Sequence, residues 1–264
     1  MIMKNSKKLE NSRGILAFAL NTETTDYVSI ANKTLSVASQ KLKLPYTLIT
    51  NTKDNDLTNN RFDIDSNTFV SWRNFNRHSA YELSPYDETL VVDVDYLVVD
   101  NSLLDIFKCN WDYLLQRNSH ALTAEWADTM GDNSLPYIWA TVFAFRKTPR
   151  AKLFFDLIDR IQKNYSYYRA LFNIRERNYR NDYAFSIADI IINGYITQTS
   201  TIPGSLLAIN QSINKIELQD SKFIVRDDSK AYIVPRTNLH IMSKKYLQSS
   251  DFENLVEQLL NEPA

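Results

Sequence analysis

One cysteine, Cys109, stands in 264 residues, which excludes an intramolecular disulfide and fits a reducing compartment. Glycine is nearly as scarce: there are four, and none forms a G-x-G-x-x-G or Walker pattern. A glycine-rich phosphate loop is therefore excluded, and any phosphate bound here must be met by a metal ion and basic side chains. No apolar run approaches the roughly 18–20 residues that a membrane span needs. The apolar stretch from Gly14 to Leu20 is too short, and the basic start (Lys4, Lys7, Lys8, Arg13) lacks the apolar region of a signal peptide behind it. The expectation is a cytoplasmic protein with a flexible basic arm over residues 1–13 and one domain over 14–264. Net charge is missing too, since 30 Lys and Arg face 31 Asp and Glu. Such a surface has no general pull on nucleic acid, so binding of that kind would need a local patch.

What is present suffices for a large core, with 44% hydrophobic and 12% aromatic residues. Gly14 to Leu20, bounded by polar residues, predicts a buried strand. Tyr27, Val28, Ile30, Ala31, Leu35, Ala38 and Leu42 fall on one helical face, with Thr25 or Asp26 as cap. Tyr46 to Thr50, after Pro45, reads as a second strand. A strand, a helix and a strand within about 40 residues open a parallel α/β sheet. Further strands are expected at Thr68–Trp72, Thr89–Asp93, Tyr137–Arg146, Lys222–Val225 and Tyr232–Val234. Helices are expected at Ser79–Leu83, Arg150–Tyr165, Asp182–Ile192 and Asp251–Leu260. The predicted class is α/β, a mainly parallel sheet flanked by helices in a single domain.

The segment from Tyr86 to Val99 carries the chemistry. An apolar strand ends in Asp93, one residue intervenes, and Asp95 follows. Alternation along extended backbone would put both carboxylates on one side of the strand's C-terminal end, where ligands bind in open α/β sheets. Two carboxylates there repel unless a cation joins them. Carboxylates and diphosphate oxygens suit a hard ion such as Mn²⁺ or Mg²⁺, which would neutralise a leaving nucleoside diphosphate. Asp182 opens a helix, where it serves equally as cap or as catalytic carboxylate. His240 follows Pro235 in a polar stretch and can offer a ring nitrogen to a metal. Thr22 and Tyr27, past the first strand, suit a nucleotide base, although Tyr27 also suits helix packing. His78, His120 and Cys109 read as structural.

The stretch from His78 to Val99 resembles GT-A glycosyltransferases, in which a short helix, a proline and a Tyr-Asp turn lead into a D-x-D strand. It is most similar to glycosyltransferases encoded by tailed bacteriophages. That resemblance implies transfer of a sugar from a nucleotide donor such as a UDP-sugar, with arabinose onto hydroxymethylcytosine in phage DNA as one possibility, inside the bacterial host cytoplasm. It implies that Trp139 and Thr141, within Trp139–Phe145, line the donor-sugar pocket, and that Asp182, within Arg180–Phe185, faces donor and acceptor. It further implies that His240 completes the metal site of Asp93 and Asp95, with Lys244 near the diphosphate.

From Lys163 to Phe185 basic and aromatic residues interleave. Arg175, Arg177 and Arg180 could meet DNA phosphates while tyrosines stack on bases; equally, the aromatics could be core and the arginines a solvated face. Three rivals remain: a glycosyltransferase acting on a lipid or surface glycan, a non-catalytic sugar-nucleotide-binding protein, and an aspartyl-phosphate hydrolase. The last usually carries its motif on the first strand with Thr or Val two residues on, whereas Leu97 stands there in this chain.

Overall fold

A computed structural model describes residues 9–50, 62–63, 77–122, 129–130, 135–136, 138–196 and 201–262. The first strand, β1 (Leu9–Ala19), begins five residues before Gly14 and so takes in part of the expected arm. Its alternation sends Ile15, Ala17 and Ala19 into one core and Leu16 and Phe18 into another. Asp26 then caps α1 (Tyr27–Leu42), accepting a hydrogen bond from Ser29 N at 2.9 Å. The helix buries Val28, Ala31, Leu35 and Ala38 against the first core. β2 (Tyr46–Thr50) returns parallel to β1, and β3 (Phe62–Asp63) lies parallel to β2. The expected strand at 68–72 falls outside the described residues.

A 3-10 turn, Arg77–Ser79, leads into α2 (Ala80–Leu83), and β4 (Tyr86–Val92) inserts on the other side of β1, again parallel. Short strands follow: β5 (Tyr96–Leu97), β6 (Tyr113–Gln116), β7 (Ser119–Ala121), β8 (Thr129–Met130) and β9 (Leu135–Pro136). β10 (Trp139–Arg146) precedes three helices, α3 (Pro149–Lys163), α4 (Tyr165–Leu171) and α5 (Asn181–Ile192). Four strands come next: β11 (Leu206–Ile209), β12 (Lys215–Gln219), β13 (Lys222–Arg226) and β14 (Ala231–Pro235). β15 (Leu239–Ile241), α6 (Lys244–Leu247) and α7 (Ser250–Asn261) close the chain.

The main sheet has the order β3-β2-β1-β4-β10-β6. It is parallel as far as β4, but β10 runs antiparallel to both β4 and β6. Five of its six strands run the same way and β10 alone is reversed, so the sheet is mainly parallel, as expected. The reversal matters for function, because it brings the start of β10 to the edge where β4 ends. Helices flank the sheet in one α/β domain: α1 and α7 pack on the first core, while α3 and α5 press Phe154, Phe155 and Phe185 onto Phe143 and Phe145 of β10. Each such ring contributes roughly 2–3 kcal/mol by burial.

A second sheet, β5-β15-β11-β7, begins where β4 stops. β5 pairs with β15 so that Tyr96 stands opposite His240. The residues between β4 and β5 are Asp93, Val94 and Asp95, so the D-x-D motif is the joint between the two sheets.

Candidate metal and donor site

The joint is a turn. Tyr96 N donates to the Asp93 carbonyl at 3.0 Å, which closes the chain over Val94. The two carboxylates therefore do not share a side through strand alternation, as the sequence suggested; a reversal of the backbone brings them together. Three elements hold it. Asp93 N donates to the Thr141 carbonyl of β10 at 2.9 Å, and Ile241 N of β15 donates to the Asp95 carbonyl at 2.8 Å. From α1, the Thr34 hydroxyl donates to the Val94 carbonyl at 2.8 Å.

His240 arrives from β15 with Nε2 3.3 Å from Asp95 Oδ1. Its ring meets the Trp139 ring edge-on, centroids 5.3 Å apart, and its Nδ1 is buried without a hydrogen-bond partner among the described residues. Donor atoms of Asp93, Asp95 and His240 all lie within 4.8 Å of one another. Ligands of one ion bonded at about 2.1 Å lie at most roughly 4.2 Å apart, so the three side chains would draw inward to share it. Two carboxylates and an imidazole suit Mn²⁺ well, and Mg²⁺ less well because of the nitrogen.

Cations already face both carboxylates. Lys244, at the start of α6, pairs with Asp95 Oδ2, and Arg77 pairs with Asp93 Oδ1. Burial opposes the charge on Asp95, but His240 and Lys244 outweigh it and hold the carboxyl well below the usual carboxylate range. Asp93 goes the other way: burial pushes its carboxyl up, Arg77 opposes the shift and Asp95 adds to it. The two motif carboxylates are thus electrostatically unequal.

A cleft of about 160 Å³ opens over this cluster, lined by Phe18, Leu20, Tyr27, Arg77, Asp93, Val94, Asp95 and Lys244. Tyr27 is among the lining residues. Thr22 is exposed in the β1–α1 turn, exchanging hydrogen bonds with Thr25, and is not among the lining residues. Thr141 is buried and reaches the site through its carbonyl, while Trp139 backs His240. Asp182, in the first turn of α5, accepts from Ala140 N at 2.9 Å and from Arg180 at 2.7 Å. It therefore borders the same start of β10 that anchors Asp93.

Arg77 was not legible beforehand. One arginine among 30 basic residues carries no pattern, and only chain closure brings it to Asp93. In the basic segment, Tyr165, Phe172, Tyr179 and Phe185 are buried, whereas Tyr167, Arg175 and Arg177 are exposed. Most of its aromatics are core, and Arg180 is engaged with Asp182. His78 lies outside the cleft against Asp159, and His120 is exposed on β7. No described helix is long and apolar enough to cross a membrane.

No protein-family model matches the chain. No curated protein matches it. Among solved structures, the chain is similar to the galactosyltransferase LgtC in complex with donor and acceptor sugar analogues: 14% identity, 95% of this chain, 97% of that one, TM-score 0.49. It is similar to mouse xyloside xylosyltransferase 1, at 10% identity, covering 70% of this chain and 83% of that one, TM-score 0.45. It is also similar to 4-diphosphocytidyl-2C-methyl-D-erythritol synthase from Anaerococcus prevotii, at 10% identity, 75% and 89% coverage, TM-score 0.34. Likenesses this distant carry no functional conclusion. The chemistry has to be read from the cluster itself.

Proposed function

We propose that the chain is a metal-dependent glycosyltransferase that takes a sugar from a nucleotide diphosphate donor. The observation that carries this is the convergence of Asp93, Asp95 and His240, with Lys244 beside them, at the C-terminal end of β4. A bound divalent ion supplies neutralisation of the charge that grows on a departing diphosphate. Lys244 adds a point charge for phosphate oxygens. Phe18, Leu20 and Tyr27 give the cleft an apolar wall against which a nucleobase would lie. Asp182, oriented by Ala140 N and Arg180, is the group we assign to the sugar, as base or as orienter of the reacting carbon. Trp139 fixes the His240 ring so that Nε2 faces the carboxylates.

The donor tested first is a UDP-sugar. Mn²⁺-dependent binding of UDP and slow donor hydrolysis are expected by calorimetry and by release of UDP. Absence of binding for every nucleoside diphosphate in the presence of Mn²⁺ overturns the proposal. For the acceptor, the reading carried forward is hydroxymethylcytosine in DNA with arabinose as one candidate sugar, supported by the exposed Arg175, Arg177 and Tyr167 beside the segment leading to Asp182. Mass analysis of digested hydroxymethylated DNA after incubation with a donor panel tests it. No adduct with any donor turns the search to lipid and glycan acceptors and leaves the donor site standing.

A further inference from the structure

Arg77 is the least expected member of the cluster. Its side chain is 10% exposed, and its Nη1 donates to the Ala140 carbonyl at 2.7 Å while Nη2 pairs with Asp93. Its Nε is buried with no hydrogen-bond partner among the described residues, and the guanidinium lines the cleft alongside Asp95 and Lys244. A buried donor left unsatisfied calls for an explanation, and here it sits at the edge of a cleft. Arg77 also sits on the carboxylate that a metal ion would use.

The charges of the cluster make the consequence plain. Asp93 and Asp95 are already paired with Arg77 and Lys244, one cation to each carboxylate, before any ion arrives. A lone divalent cation must enter a cluster that already holds two cations, and must share Asp93 with the guanidinium. The diphosphate is itself an anion, so a cation entering with it does not add net positive charge to the cluster. Phosphate oxygens are also good acceptors for a guanidinium that leaves the carboxylate.

We propose that Arg77 is a positioning residue, a built-in counter-ion to Asp93 that prevents the site from loading a divalent ion alone and makes cation binding depend on the nucleotide diphosphate. This rests on the metal and donor reading above. It predicts reciprocal coupling: UDP tightens Mn²⁺ binding, and Mn²⁺ tightens UDP binding by the same factor.

The test is Mn²⁺ binding to the whole chain, followed by the electron paramagnetic resonance of free Mn²⁺, with and without UDP. Wild type should bind Mn²⁺ weakly alone and roughly tenfold or more tightly with UDP, within the range usual for linked sites. Arg77→Gln should bind Mn²⁺ alone roughly tenfold more tightly and lose most of the coupling. Arg77→Lys, which keeps the charge, should stay close to wild type. A purely structural role predicts the opposite sign, since a loosened site binds Mn²⁺ less well. Arg77→Gln with unchanged or weaker Mn²⁺ binding alone, in a protein that still melts cooperatively, overturns the proposal. Tight Mn²⁺ binding by wild type without UDP overturns it too, whatever the folding of the variant. Failure of the underlying reading looks different: wild type would bind no Mn²⁺ even with UDP, or Asp93→Asn would bind it unchanged.

Discussion

The two ends of β4 make an instructive pair. At its start lies the larger crevice, about 460 Å³, lined by Arg13, Asp87, Glu88, Arg146, Lys147 and Thr148. There Glu88 accepts from Arg13 at 2.6 Å and from Arg146 at 2.8 Å, and the two guanidiniums lie over the rings of Phe107 and Trp111. Lys147 sits over Tyr81. At the other end the cleft is smaller, yet it holds two carboxylates in one turn, an imidazole and a guanidinium, each with a nitrogen that is buried and unpartnered among the described residues. The first end has resolved its charges into a framework. The second gathers two carboxylates, an imidazole and two cations around one turn, and this convergence distinguishes a site better than volume does.

The largest effect expected from breaking this contrast is at the motif. Asp93→Asn and Asp95→Asn should each reduce Mn²⁺-dependent donor turnover by about a hundredfold or more. Relief of carboxylate repulsion alone would leave stability unchanged or higher. The ion pairs reverse that expectation, because each variant strands Arg77 or Lys244, and a loss of about 1–3 kcal/mol should appear on denaturation. Turnover unchanged in EDTA, for either variant, would break the contrast. Next in size, His240→Ala should weaken Mn²⁺-dependent UDP binding by roughly tenfold. Unaltered titration by calorimetry would return His240 to the framework class.

At the opposite end, Glu88→Gln should leave turnover intact and cost about 1 kcal/mol in denaturant melts, since two guanidiniums lose a shared and partly exposed partner. A large fall in turnover would show that the first end is not mere framework. The smallest effect concerns His78, beside Arg77 in sequence and 3.3 Å from Asp159. Burial lowers its pKa from the ordinary value against the pull of Asp159. The unfolded chain therefore takes up the proton first as pH falls. Stability should be complete above the ordinary imidazole pKa of about 6.5 and decline as pH drops toward the folded value. His78→Asn should flatten that part of the profile; an identical slope in the variant would remove the assignment.

Much of the parallel half was legible from the sequence. β1, α1, β2 and β4 announce themselves by apolar runs and by the stripe from Val28 to Leu42, and Asp26 capped the helix as the pattern allowed. The second sheet was not legible. β7 and β15 are three residues each and β5 is two, too short for any period to register, and their pairing is entirely long-range. His240 was therefore found as a motif without its strand. The direction of β10 was equally hidden, because an apolar strand looks the same whichever way it runs. Asp93 and Asp95 were found by residue type, but their geometry was assigned to alternation where a turn produces it. Arg77 stayed invisible because its meaning lies in a contact made across 16 residues of chain.

The tripod that holds the D-x-D turn has an evolutionary consequence. Its three hydrogen bonds use the Asp93 amide, the Val94 carbonyl and the Asp95 carbonyl, with a single side chain, Thr34, among the partners. None of them requires an aspartate at either position. Descendants of this chain could exchange both acids and still keep the joint between the sheets, its angle and its cleft. A silent copy would carry the same outline, with its loss of ion affinity and its stranded cations to give it away.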